Sequence, residues 1–468
     1  MNMLRHAQNL VLMAGVSLTA AACAVGPDYK APEPAPVAVL NADPQVYAAA
    51  TPDADWWKGF QDPVLEDLIQ RAKAGNLDLK ASVDRVKQAR ALFDDRRLDQ
   101  FPRVTSAGGY TRSDEQVPGF GTGRVNVASA DLGFDANWEI DLFGHVQRSV
   151  EAADADAGAT EADARDVKVT VAAEVARNYF ELRGAQQRRV VAEANAAAQR
   201  ETLRLTQTRT TIGQGDPTDV ESAKARLSAI EATIPTFVTS EAQAKYRLAV
   251  LVGERPGALD AELTPLKAPP APLVKALPIG DASGFLRRRP DVQAAERRLA
   301  GETARVGVAT ADLFPRVTVT GFVGLLSGDV SKLFTHGAEA YSVSPSVTWP
   351  ALDLGGAHAR LRAQEAKSDE SLANYDQTVL RAIEDLETAL VSYRQQQTQI
   401  RSLADQVTAA RRAAELAQIR YKEGTADFLT LLDAQRTQLT AEDSLTAAET
   451  NANTDIVAIY KALGGSWA

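Results

Sequence analysis

Side chains able to act as nucleophiles or metal ligands are few in this chain, and they do not gather. There is one cysteine, Cys23, which excludes an internal disulfide and any thiolate cluster. The four histidines, His6, His145, His336 and His358, are scattered and none pairs at metal-ligand spacing. No nucleophile with a neighbouring base stands out, so the sequence points away from an enzyme and implies no cofactor beyond a lipid on Cys23. Gly119-Phe120-Gly121-Thr122-Gly123 is glycine-rich, but no strand-to-helix turn follows it; it reads as a mobile external loop and not as a phosphate cradle.

The chemistry that remains is covalent modification at Cys23. Arg5 precedes an apolar run from Leu10 to Ala22 that ends in small residues. That order is a secretory signal peptide over residues 1–22, with a run too short to span a bilayer. Leu18-Thr19-Ala20-Ala21-Ala22-Cys23 resembles a bacterial lipobox, in which the cysteine is acylated and becomes the mature N-terminus; Ala20 stands where Leu or Val is usual. Ala24, in place of an aspartate, implies sorting to the outer membrane. The chain has 468 residues, 45% of them hydrophobic, and a formal net charge of -10. It can build a large core, and its acidity excludes a nucleic-acid partner, because phosphate binding wants a basic face.

The elements that position these residues come in two copies. Trp138, Arg183 and Gly213 recur as Trp349, Arg394 and Gly424, each pair 211 positions apart, and Phe101-Pro102-Arg103-Val104 recurs as Phe314-Pro315-Arg316-Val317 at 213. So large a shared offset means a duplicated unit and not a short solenoid repeat. Residues 23–61 follow the signal as an anchored linker and equatorial segment. The two repeats occupy 62–252 and 285–468, separated by a proline-rich connector at 253–284. Each repeat predicts helix, strand, loop, strand, very long helix, turn and returning helix. Asp62-Pro63 opens the first helix, which runs toward Phe101. The first long helix, from about Gly144 to Ile212, would be on the order of 100 Å long. It turns at 213–219 and returns to about Leu251. Its counterpart runs from Gly355 to Lys422, turns near 424–427 and returns to about Leu463. Val379, Ile383, Leu386, Leu390 and Tyr393 step by four and three, a coiled-coil seam.

The strands, expected at about 103–112, 127–141, 316–326 and 341–352, ask for lipid on one side. From Ala128 to Ile140 the even positions are apolar and the odd ones polar or small, and Tyr341 to Ala351 alternates likewise. The partner strands are less regular. Segments of about ten residues with this pattern mark a transmembrane barrel. Four strands cannot close a barrel, and open edges cannot sit in hydrocarbon. Two chains would give eight strands and a filled interior, three would give twelve and a wet lumen; the polar face favours three.

Together with Cys23 and Gly26-Pro27-Asp28-Tyr29, the motifs Phe285-Leu286-Arg287-Arg288-Arg289-Pro290-Asp291-Val292, Tyr421-Lys422-Glu423-Gly424, Phe428 to Arg436 and Tyr460-Lys461-Ala462-Leu463-Gly464-Gly465 resemble the TolC-type outer-membrane efflux factors. The likeness is to their lipoprotein branch, typified by OprM, and covers nearly the whole mature chain. It implies a mainly α fold with a small transmembrane β part. A homotrimer would form a twelve-stranded β-barrel, four strands per chain, joined to a long periplasmic α-helical barrel. The implied partners are a periplasmic adaptor protein, an inner-membrane pump of the proton-driven RND type, and outer-membrane lipid. The resemblance also implies a gate where the long helices turn, at Gly213 and Gly424. Leu429 and Asp433 would form rings narrowing the pore, with Arg436 on the same helical face. Asp219 and Tyr421 match a linkage between neighbouring coiled coils. Ala426 stands where the family often has a basic residue. The expected activity is passive export of drugs or other small toxic compounds as the exit duct of a tripartite efflux pump. The alternatives are the outlet of a protein-secretion system of the same fold, or a structural periplasmic coiled-coil lipoprotein.

Overall fold

The computed structural model describes residues 24–32, 39–50, 55–116, 124–266, 276–280 and 284–465. The signal peptide, Cys23 and the Gly119–Gly123 loop expected from the sequence lie outside them. The chain is mainly helical and falls into two compact units. One comprises Met1–Glu33, Arg85–Glu161 and Ala294–Asp376; the other comprises Pro34–Asp84, Ala162–Gln293 and Gln377–Ala468. Among the described residues no helix is long and apolar enough to cross a membrane.

The first unit holds one antiparallel sheet of four strands in sequence order: β1 (Arg103–Gln116), β2 (Arg124–Ile140), β3 (Arg316–Ser327) and β4 (Glu339–Thr348). The register aligns the apolar sets of all four strands. Tyr110 pairs with Ala130, Phe134 with Val323, Trp138 with Val319, and Val323 and Val347 with Tyr341 and Val317. Because side chains alternate with a period of two, one face becomes predominantly apolar, with Ser106 within it and Arg112, Ser327 and Glu339 toward the hairpin ends. That face is bare: Phe134 is 57% exposed and Tyr341 86%. The opposite face carries Asp131, Asp135, Thr105, Thr320, Ser342 and Ser344, and also Phe322 and Leu326, the residues that break the alternation of β3.

Three strand limits differ by three or four residues from the sequence expectation. β1 and β2 extend further into the hairpin, to Gln116 and from Arg124, because backbone pairing continues through polar residues. β4 stops at Thr348, short of 352; Pro350 lacks an amide donor and accepts instead from the Asp353 amide in a turn. Trp138 and Trp349 mark the foot of the sheet. Their indole nitrogens donate to the carbonyls of Gln100 and Leu313, which follow the preceding helices. The first described residues pack here too. Val25 donates its amide to Phe143, and a Cβ built on Gly144 would lie 2.7 Å from Ala24 Cα.

In the second unit, α1 (Pro63–Gly75) is capped by Asp62, which accepts from the Val64 amide at 2.9 Å. The helix expected to run on toward Phe101 is interrupted at Asn76. Its side chain donates to the Leu251 carbonyl and accepts from the Leu79 amide, starting α2 (Leu77–Leu98) afresh. The long helices are α3 (His145–Thr211) and α7 (Leu354–Lys422), with α6 (Pro290–Ala311) ahead of β3. The returning limb of the first repeat is broken into α4 (Pro217–Glu231) and α5 (Ile234–Leu251), since Pro235 cannot donate to the preceding turn. In the second repeat it is one helix, α8 (Phe428–Ala462). The seam on α7 is buried at Leu386, Leu390 and Tyr393. Trp56 stacks on Tyr460 at 5.1 Å, and Phe60 packs on Phe180 at 4.7 Å, tying the segment before α1 to the helices. Buried Arg289, from the arginine-rich motif, pairs with Asp291 at 2.7 Å and Asp385 at 3.0 Å and donates to the Ala462 carbonyl.

Candidate functional site: the helical turns and the α8 face

The two turns have the same construction. Gly213 and Gly424 adopt left-handed φ values of 78° and 76°, which a residue with a Cβ resists. The next amide reaches back over the helix end: Gln214 donates to the Arg209 carbonyl and Thr425 to the Arg420 carbonyl, at 2.8 and 2.9 Å. Each returning helix is then capped by an aspartate. Asp216 accepts from the Thr218 amide at 2.8 Å and Asp427 from the Thr430 amide at 2.7 Å. The Thr218 amide and then its side chain hold the Asp216 carboxyl, and the Thr430 side chain and then its amide the Asp427 carboxyl, below the usual carboxylate range.

Tyr421 is the centre of the packing beneath the turns. Its ring meets Phe428 at 5.9 Å within a buried cluster of Ala223, Ala417 and Leu431, flanked by Leu432. Its hydroxyl donates to Thr206 Oγ1 at 3.2 Å. The Arg209 guanidinium lies 4.6 Å over the ring and donates to the Tyr421 carbonyl. Asp219 stands on the first turn of α4. Burial, then the charges of Asp216 and Asp427, push its carboxyl up, and Arg209 opposes them. Within one chain Asp219 and Tyr421 are thus related through Arg209, while the Tyr421 hydroxyl is engaged by Thr206.

Leu429, Asp433 and Arg436 all lie exposed along one face of α8, with Leu429 67% exposed. Arg436 donates to Asp433 at 2.8 Å, and both side chains are about two-thirds exposed, so the pair contributes little stability. A second guanidinium, Arg226 on α4, faces this pair's helix. It lines a cavity of about 360 Å3 with Gln199, Gln418, Gln435 and Leu439. Burial, then the like charge of Arg436, pull its pKa down. The expected acidic ring is therefore accompanied by two arginines per chain. Sequence reasoning missed Arg209 and Arg226. Arg209 sits in the last turn before a C-terminal glycine, where a cation is favoured, and Arg226 lies seven residues after Asp219, on the same helical face.

Among the described residues no group of three or more His, Cys, Asp or Glu could hold a metal ion.

Comparison with known proteins agrees with that geometry. The family model described as "Outer membrane efflux protein" matches residues 68–254 and 283–465, one segment in each repeat. The solved structure of the outer-membrane channel OprN is 45% identical; the match covers 95% of this chain and all of that one, with a TM-score of 0.92. Outer membrane protein OprJ of Pseudomonas aeruginosa is 30% identical over 97% of this chain and 95% of its own length. The antibiotic efflux pump outer membrane protein ArpC of Pseudomonas putida is 29% identical over 98% and 96%. The fold is that of the TolC-type channels, and the family is one of transport ducts. This chain belongs to the outer membrane efflux protein family and is an efflux channel of the outer membrane.

Proposed function

We propose that three copies of this chain close a twelve-stranded barrel in the outer membrane and act, without enzymatic activity, as the passive exit duct of a tripartite efflux pump. The observation that carries this reading is the sheet. Its four strands share one largely apolar face, and β1 and β4 are left with open edges. Neither hydrocarbon nor a single chain can satisfy those edges. A periplasmic adaptor and a proton-driven inner-membrane pump of the RND type would feed the duct. Drugs and other small toxic compounds are its cargo, as the name of the ArpC relative suggests for that protein. This favours small-molecule efflux over protein secretion.

On this reading residues 1–22 are the signal peptide, 23–61 and 253–284 form the equatorial segments, and 62–252 and 285–468 are the repeats. Cys23 carries the lipid; the packing of Ala24 against Gly144, at the foot of β2, supports an anchor beside the barrel. Leu429, Asp433 and Arg436 form the pore gate, Gly213 and Gly424 are its turns, and Asp219 reaches Tyr421 of a neighbouring coil when the Thr206 bond is exchanged.

Purified protein in planar bilayers tests the proposal. Native mass spectrometry should give a trimer, and Asp433→Ala should raise ion conductance at neutral pH. A monomer that never inserts would overturn the channel assembly, and unchanged conductance would remove Asp433 from the gate. Cys23→Ala should spare assembly, because strands and not acyl chains hold the trimer.

A further inference from the structure

We infer that the polar face of the sheet carries a binding site for aromatic or quaternary ammonium cations, built on Phe322 and Asp135. The inference rests on the reading above that this face lines the exit duct. Phe322 and Asp135 are directly paired across β3 and β2, so their Cβ atoms lie side by side on that face. The ring does not stand up from the sheet. A Cβ built on Gly133 would come within 2.7 Å of Phe322 Cε2 and 2.9 Å of Cζ, and one on Gly324 within 3.0 Å of Cζ. The ring therefore leans across these two paired glycines, its Cε2 and Cζ atoms filling the space a Cβ would take, and on the reading above its uncovered side is turned to the duct. Phe322 is accordingly half-buried.

Charge and relief around the ring suit a cation. The negative face of an aromatic quadrupole attracts ammonium groups, most strongly where water is partly excluded. Asp135 stands beside the ring, and two rungs along the face, beyond the Gly133–Gly324 rung that the ring covers, Leu326 is paired with Asp131. Neither carboxylate has an ion-pair partner among the described residues. Thr105 and Ala107 on β1 and Ala340 and Ser342 on β4 are small and neutral, and Arg103, diagonal to Asp135, is engaged by Asp95 and Asp99. They leave a shallow bowl with an aromatic floor and an acidic side. The repeat does not duplicate it, since the position 213 residues before Phe322 is Gly109. Each chain then has one site, on β2 and β3.

A purely structural role for Phe322, covering exposed glycine backbone, predicts that any bulky apolar residue will serve. Recognition of a cation predicts a different order. Full-length protein in lipid nanodiscs is titrated with benzyltrimethylammonium, followed by saturation-transfer NMR, with benzyl alcohol and benzenesulfonate as neutral and anionic probes. The wild type should bind the ammonium probe in preference to both others. Phe322→Leu, which still covers the glycines, should weaken it by about 3- to 10-fold, Phe322→Trp should retain or tighten it, and Asp135→Asn should weaken it without altering benzyl alcohol binding. Equal binding of all three probes, or ammonium binding indifferent to Phe322→Leu and Asp135→Asn, overturns the site. Labelling with a membrane-impermeant thiol reagent separates this from failure of the parent reading. If Ser344→Cys reacts and Val343→Cys does not while binding ignores the variants, the site alone is wrong. If the pattern is reversed, the face does not line the duct and both inferences fall.

Discussion

Asp455 offers a direct test of how the packed helices of the second unit carry charge. It lies on α8, where Ser392 of α7 donates to Oδ1 at 3.0 Å while buried Oδ2 has no hydrogen-bond partner among the described residues. Burial pushes its carboxyl up from the ordinary 3.8 to about 6, and the Ser392 bond only partly offsets this. Asp166, Asp385, Arg381 and Lys461 line the same cavity of about 740 Å3. The sign follows from proton linkage. Between about pH 4 and 6 the folded chain binds more protons here than the unfolded chain, so stability falls as pH rises through that window. Below it the carboxyl is neutral and costs nothing; above it an ionised group is held away from water. A shift of this size at roughly 1.4 kcal/mol per unit, discounted by more than half for partial exposure, leaves about 1 kcal/mol per chain. Asp455→Asn keeps an acceptor for Ser392 and removes the charge. Its thermal transition, followed by circular dichroism at one heating rate, should exceed the wild type by about 1–3 °C at pH 8 and match it at pH 4. A gain independent of pH, or a loss at pH 8, would refute desolvation as the cause.

Other positions give sharper yes-or-no outcomes. Gly213→Ala should cost about 1 kcal/mol through backbone strain alone, because φ is 78° and a Cβ there meets nothing within 4 Å; Gly213→Asn should cost less, and equal costs in thermal scans would contradict this. Trp138→Phe should lower stability by about 0.5–1.5 kcal/mol through the lost bond to Gln100, and adding Trp349→Phe should double the loss because the two bonds are separate. Arg226→Gln should shift the reversal potential of the reconstituted channel toward cations, since it removes a guanidinium with no acidic partner among the described residues, near Arg436; an unmoved reversal potential would take Arg226 out of the field of the proposed gate. Gly133→Val should abolish assembly, seen as loss of the trimer in native mass spectrometry, because its Cβ would sit 2.7 Å from the Val323 carbonyl.

The duplicated order of elements, the long helices, the turn glycines and the lipid-seeking alternation of Ala128–Ile140 were all legible in one dimension. Periodicity and backbone punctuation are local properties, and they survive without knowledge of neighbours. The tip glycines illustrate this: Gly213 and Gly424 end their helices in the conformation that glycine allows, at the same offset that relates the tryptophans. The breaks at Asn76 and Pro235 were less visible, since a helix-forming composition runs through both and tertiary contacts decide where the chain turns.

Sequence by itself determined what repeats, which strand positions are apolar and where helices must stop, because those follow from side-chain period and backbone sterics. Tertiary structure alone decided which of those positions meet. It set the register that merges four apolar faces into one, laid Phe322 across two glycines, and brought Arg209 over Tyr421 and Arg226 toward Arg436. It also drew each compact unit from both repeats, so the duplication seen along the chain is not the division seen in space. The reason is that burial and electrostatic interaction depend on distance between groups far apart in the chain, and only folding assigns those distances.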